Sequence, residues 1–177
     1  FTIDSGFTSG DGGGVLAIDV GTQSVRALVF DRHGTLHARI QSPIEPPYHA
    51  PEPGYAEQQA SVFWDAIVVA CRALHREHPD MGARIAGMAL TAQRATSVFL
   101  DADDQPIGPA ISWLDQRRAT QVPALPRLWR TLFAVLGLTR TIDRFQRAAP
   151  ANWRAAHTPE AHRRTYRAVL LSGYLVH

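Results

Sequence analysis

The stretch Val15-Leu16-Ala17-Ile18-Asp19-Val20-Gly21-Thr22-Gln23-Ser24-Val25-Arg26-Ala27-Leu28-Val29-Phe30-Asp31 decides the fold. Its first six residues are a short apolar run broken only by Asp19 and closed by Gly21, the pattern of a buried strand. Val25 to Asp31 is a second run of strand type. The four residues Gly21 to Ser24 leave room only for a tight turn, so the two strands must be antiparallel neighbours. Arg32-His33-Gly34 supplies another turn, with glycine where positive φ is expected. Thr35 to Gln41 then alternates as a third strand, which makes a β-meander.

Further along, Ser42 to Gly54 contains five prolines and is excluded from helix and from a central strand. From Ala60 the period changes. Phe63, Trp64, Ile67, Val68, Cys71 and Leu74 recur at helical spacing, Ser61 is the candidate N-cap, and Pro79 is the expected stop. Strands are expected over Ile85–Leu90, Ser97–Asp101 and Ile107–Ser112, with a turn at Asp103-Asp104-Gln105-Pro106. Beyond Trp113 the pattern is mostly helical, broken at Pro123, Pro126 and Gly137, with the stretch 139–152 ambiguous. Pro159 is placed to start a last helix reaching Arg167, and Ala168–Leu171 reads as a strand. Three meander strands, then a crossover helix and another strand, predict an α/β domain with a mixed sheet. A doubly wound dinucleotide fold alternates β and α from the start and carries GxGxxG after its first strand; neither holds here.

Two groups of residues carry chemistry. In the first, Gly21 lets backbone approach a bound group, and successive N–H groups in such a turn form an anion cradle. Thr22, Gln23 and Ser24 add side-chain donors. Asp19 sits at the end of a buried strand, where a carboxylate beside a phosphate suits hydrated Mg²⁺, and Arg26 can neutralise a phosphate oxygen. A hairpin with a polar turn is the plainer reading. In the second group, Gln93 and Arg94 follow the end of a strand, the side of a sheet that faces ligands in α/β folds. Arg94 offers a fork of donors, Gln93 a donor and an acceptor, Trp113 a flat face for sugar C–H groups, and Asp115 an acceptor for hydroxyl protons. Alternatively, Trp113 is core and Asp115 forms a local salt bridge with Arg117. Trp64 and Trp153 read as packing residues, His75 and His78 as solvated surface, and the Asp101–Asp104 stretch as a turn.

Composition narrows the function classes. The 177 residues contain 18 basic side chains, all arginine, which removes lysine-dependent phosphate binding and Schiff-base chemistry. The single Cys71 excludes a disulfide framework and a Cys-rich zinc site. A net charge of +2 with scattered arginines gives no basic stripe for nucleic acid. No apolar run is long enough to span a membrane. Residues 1–14 read as a polar lead-in without the features of a signal peptide, so a cytoplasmic protein is expected. The start at Phe1 and the apolar finish Val169–Val176 are expected to mark part of a longer chain.

The segment Leu16 to Arg26 resembles the first phosphate motif of the actin/Hsp70/hexokinase-like ATPases, whose domains have a ribonuclease H-like fold. Within them the sequence is most similar to the FGGY carbohydrate kinases. Pro53-Gly54-Tyr55-Ala56-Glu57-Gln58 resembles that family's Pro-Gly-x-x-Glu-Gln element, Gln93-Arg94-Ala95-Thr96 its substrate loop, and Ile111-Ser112-Trp113-Leu114-Asp115-Gln116-Arg117 its Trp-x-Asp-x-Arg motif. Leu170 to Leu175 fits as well. The resemblance implies an incomplete domain over residues 15–177 that binds a sugar or polyol, with ATP and Mg²⁺ as cofactors. It implies phosphate contacts from Asp19, Gly21, Thr22, Gln23, Ser24 and Arg26, substrate contacts from Gln93, Arg94, Trp113 and Asp115, and Asp19 beside the metal. It places the catalytic Asp and an ATP-binding C-terminal domain beyond His177, and it allows a homodimer. At Ala95 the chain departs from both the glycerol and the xylulose branches. A non-catalytic sugar-sensing or assembly domain of the same superfamily is the alternative.

Overall fold

The computed structural model describes residues 13–177, so most of the 1–14 lead-in lies outside the described residues. The meander forms as read. β1 (Gly14–Val20), β2 (Ser24–Phe30) and β3 (Leu36–Pro43) pair antiparallel in sequence. β4 (Glu57–Gln58) and helix α1 (Ser61–Glu77) follow, then a 3₁₀ segment Pro79–Arg84 and β5 (Ile85–Ala92). β5 returns parallel to β1, so the first sheet has the order β3-β2-β1-β5 and is mixed, as expected. β6 (Ser97–Leu100), β7 (Ala110–Ile111) and β8 (Arg167–Leu170) join β4 in a second sheet, ordered β4-β7-β6-β8. Between β7 and β8 come α2 (Arg127–Val135), α3 (Thr139–Ala148), α4 (Pro150–His157) and α5 (Pro159–Arg164), and α6 (Leu171–Leu175) closes the chain.

Alternation along β1 and β2 sends Ile18, Val20, Val25, Ala27 and Val29 to one face, where all are buried. Helix α1 covers that face with Phe63, Ala66, Ile67, Ala70 and Leu74. Ser61 is not its N-cap: Ala60 holds that position and no side chain caps the helix. A missing cap costs about 1 kcal/mol. Burying Phe63, Ile67 and Leu74 contributes about 1.5–3 kcal/mol each, so packing rather than capping sets where this helix lies. Trp64 is the exception to the packing expectation. It is 53% exposed, because Phe63, one residue earlier, takes the inward position.

Several boundaries moved for local reasons. Pro79 ends α1 but opens the 3₁₀ segment, since proline at a first helical position loses no bond. Only Ala110–Ile111 of the expected 107–112 strand is paired as a strand, because it meets the two residues of β4 on one side and Ser97 of β6 on the other. The segment 113–126 holds no helix, whereas 139–152 resolves into α3 and the start of α4. Pro159 does start a helix, which stops at Arg164.

Candidate functional site

The β1–β2 turn sits at one end of the first sheet. Asp19 and Arg26 are directly opposite each other in the antiparallel register, and Arg26 Nη1 donates to Asp19 Oδ2 at 2.8 Å. Both side chains keep over a third of their surface exposed, so the pair stays open to a ligand. Gly21 N–H donates to the Ser24 carbonyl at 3.0 Å and closes the turn. A Cβ at Gly21 would come within 3.2 Å of that carbonyl, which is the local reason for glycine. Ser24 is buried and its hydroxyl accepts from Gln41 Nε2 at 3.2 Å, while Gln23 is exposed.

The turn borders an open cleft of about 470 Å³, and Trp113 and Leu114 form its other wall, with Tyr48 between. Trp113 is 55% exposed and its indole N–H donates to the Thr22 hydroxyl at 2.9 Å. The structure therefore brings the turn expected to hold phosphate and the expected sugar platform to one space, across 91 residues of sequence. Gln93 reaches that space through Thr22, whose hydroxyl donates to Gln93 Oε1. Its backbone N–H extends the β1–β5 pairing by donating to the Val20 carbonyl at 2.8 Å. Arg94 lies exposed in the following turn, and Ala95 adopts φ +57°, a left-handed conformation that non-glycine residues rarely take. Such conformations cluster where a ligand clamp over-determines the backbone.

Asp115 differs from the expected free acceptor. Its side chain is 3% exposed and fully engaged. Oδ2 accepts from the Ala56 N–H at 2.8 Å, and Oδ1 accepts from the N–H and Nε of Arg117 at 2.9 and 2.8 Å. Arg117 also pairs with Glu57 at 2.8 Å and lies over the rings of Tyr55 and Trp153, 3.8 and 4.5 Å from their centroids, in the corner that these two edge-to-face rings make. Burial by itself would lower the pKa of Arg117, but the two carboxylates outweigh it and raise it. The carboxylate is thus spent on joining the β4 segment to the 113–117 loop, the salt-bridge alternative that the sequence left open. Trp153, read as a packing residue, is one wall of this cage.

Gln58 lies in the Pro-Gly-x-x-Glu-Gln segment, whose pattern assigns it no contact. It is 4% exposed and links the turn to Gln93. Its sequence signal is faint, because a buried amide looks like any surface glutamine. For the metal, Asp19 is a suitable single carboxylate, since Mg²⁺ keeps most of its shell as water and substrate phosphate. Among the described residues no group of three or more His, Cys, Asp or Glu gathers to hold a metal by itself.

Residues 14–177 match the model of the FGGY family of carbohydrate kinases, N-terminal domain. Among curated proteins, glycerol kinase of Janthinobacterium sp. is 32% identical over 160 residues, covering 90% of this chain and 32% of its own length. Glycerol kinase of Rhodospirillum rubrum is 35% identical over 153 residues, 85% of this chain and 30% of its own. The chain spans about a third of the length of the curated relatives it matches. Among solved structures, a xylulose kinase from Brucella ovis superposes with TM-score 0.72 at 26% identity, over 91% of this chain and 33% of that one. The xylulose kinase from Rhodospirillum rubrum gives TM-score 0.73 at 21% identity, a likeness of fold, over 92% and 33%. With the family's N-terminal domain matched from β1 to the last residue, the chain belongs to the FGGY family of carbohydrate kinases.

Proposed function

We propose that this chain supplies the phosphate turn and the sugar face of an ATP-dependent carbohydrate kinase, which transfers the γ-phosphoryl group of ATP to a hydroxyl of a sugar or polyol. The observation that carries the reading is the shared cleft: Gly21–Ser24 on one wall, Trp113 on the other, with a hydrogen bond between Thr22 and Trp113. Phosphoryl transfer depends on holding donor and acceptor in line and on stabilising charge, and a cleft with a phosphate turn facing an aromatic platform does the first.

In this reading phosphate oxygens are received by Arg26 and by backbone N–H groups of the turn other than that of Gly21, which closes it, and Asp19 holds the water shell of Mg²⁺. Mg²⁺, when bound, neutralises phosphate charge. Trp113 stacks against the sugar's C–H face, and Arg94 donates to its hydroxyls. The side chain of Ala95 is only a methyl group, so no side-chain acceptor comes from that position. The carboxylate that takes the hydroxyl proton comes from beyond His177, as does the domain that holds adenosine. A cytoplasmic site of action, where ATP is present, and self-association into a homodimer belong to the same proposal. No helix among the described residues is long and apolar enough to cross a membrane.

The test is ADP release by the full-length protein with ATP, Mg²⁺ and a panel of pentoses, hexoses, ketoses, aldonates and polyols. At least one compound is expected to raise turnover tenfold or more above the rate without sugar, about 1.4 kcal/mol of barrier. Sugar binding with no turnover across the panel would contradict the kinase reading and favour a sensing domain.

A further inference from the structure

We infer that Gln58 is a positioning residue that sets the polarity of a hydrogen-bond ring and thereby locks the sugar platform to the phosphate turn. The inference rests on the kinase reading for its catalytic consequence, and on geometry alone for the ring. Gln58 Nε2 faces two backbone carbonyls, donating to Thr22 O at 3.1 Å and to Pro47 O. Two acceptors on one side of an amide require its NH₂ there, because a carbonyl oxygen in that place would face two others. Gln58 Oε1 must then point the other way, where it accepts from Gln93 Nε2 at 3.2 Å. That leaves Gln93 Oε1 toward Thr22, so the Thr22 hydroxyl must donate to it. A hydroxyl has one proton. With it committed, the Thr22 oxygen is left to accept, and it accepts from the Trp113 indole N–H.

Each bond fixes the next, and the origin of the sequence is a buried amide with both NH₂ protons satisfied. The ring closes on Thr22 itself, through its carbonyl on one side and its hydroxyl on the other. It follows that the Thr22 side chain orients Trp113 and does not donate to phosphate, which differs from the part expected of it. The phosphate contacts of the turn then fall to backbone N–H groups and Arg26. A rigid link between the two walls is what in-line transfer needs, because an ångström of misplacement costs about a hundredfold in rate.

The experiment uses the full-length protein and two readouts. The first is the ¹⁵N-indole signal of Trp113, assigned with Trp113→Phe, and its solvent exchange. The second is kcat and KM for sugar and ATP. Thr22→Val removes the hydroxyl at nearly constant volume, Thr22→Ser restores it, and Gln58→Glu replaces the donor NH₂ with an acceptor. Thr22→Val and Gln58→Glu are expected to speed indole exchange at least tenfold and to lower kcat by about a hundredfold. KM for ATP should stay within about threefold of the parent. Thr22→Ser is expected to recover both. Unchanged indole exchange in folded Thr22→Val would overturn the ring. Loosened exchange with unchanged kcat would overturn its positioning role. If no sugar is turned over by the parent, the kinase reading fails, while the exchange arm still decides the ring. If Gln58→Glu does not fold, the Thr22 pair decides it.

Discussion

Two carboxylate–guanidinium pairs occupy neighbouring parts of this domain in opposite surroundings. Asp19–Arg26 and Asp115–Arg117 are bonded at nearly equal distances, 2.8 and 2.7 Å. In the first, each side chain keeps more than a third of its surface; in the second, each keeps 4% or less. In the first, Arg26 lines the cleft, and no other side chain among the described residues bonds the Asp19 carboxylate. The second has Glu57, the Ala56 N–H and two aromatic rings around it. The contrast shows that residue type does not decide whether an Asp–Arg pair is a ligand site or a clamp. The number of remaining partners and the exclusion of water decide it, because an exposed pair is worth under about 1 kcal/mol and is easily exchanged, whereas breaking a sealed one costs several.

The largest test of that contrast is Arg117→Met. It leaves Asp115 and Glu57 charged in a closed space, so a loss of about 3–5 kcal/mol is expected in chemical denaturation. A loss below 1 kcal/mol would mean the cage is open to water. Asp115→Asn comes next. It keeps an oxygen for the Ala56 N–H but removes the charge that Arg117 needs, at an expected cost of about 1.5–3 kcal/mol.

A third carboxylate, Asp31, extends the series. His37 Nε2 lies 3.0 Å from its Oδ2, and the two side chains are 3% and 8% exposed. That bond, against the opposing effect of burial and helped by the N–H groups of Thr35 and His33, holds Asp31 well below the usual carboxylate range. A depressed carboxylate stabilises the fold above its unfolded pKa, and the contribution is lost as pH falls below it. Asp31→Asn is therefore expected to lower Tm at neutral pH, with the gap to the parent narrowing below about pH 4. A gap independent of pH would contradict the assignment. The smallest stability effect belongs to Asp19→Asn, within about 1 kcal/mol of the parent by the same denaturation.

The sequence was most legible where contacts are local. Strands β1 and β2 follow from alternation over a dozen residues, and Gly21 marks the turn because a Cβ there would crowd Ser24. Helix α1 follows from its apolar period, although Phe63 rather than Trp64 points inward. At Asp115 the sequence shows only the nearby Arg117, so a hydroxyl acceptor and a local salt bridge both stay open. Ala56 and Glu57, which close the cage, lie 59 and 60 residues away from the groups they bind. Gln58 carried no signal for a similar reason: its partners Thr22 and Gln93 are 36 and 35 residues distant. Charge and period can be read along a chain, but the satisfaction of a buried amide exists only once the segments meet.

We predict that the exposed pair serves chemistry and the sealed pair serves structure. The most direct measurement compares kcat and unfolding free energy for Asp19→Asn and Asp115→Asn in the full-length protein with its preferred sugar. Asp19→Asn is expected to lower kcat about a hundredfold or more with stability nearly unchanged. Asp115→Asn should lose stability while its folded fraction keeps kcat within a few-fold of the parent. The reverse pattern, with Asp115→Asn abolishing turnover in a fully stable protein and Asp19→Asn remaining active, would contradict it.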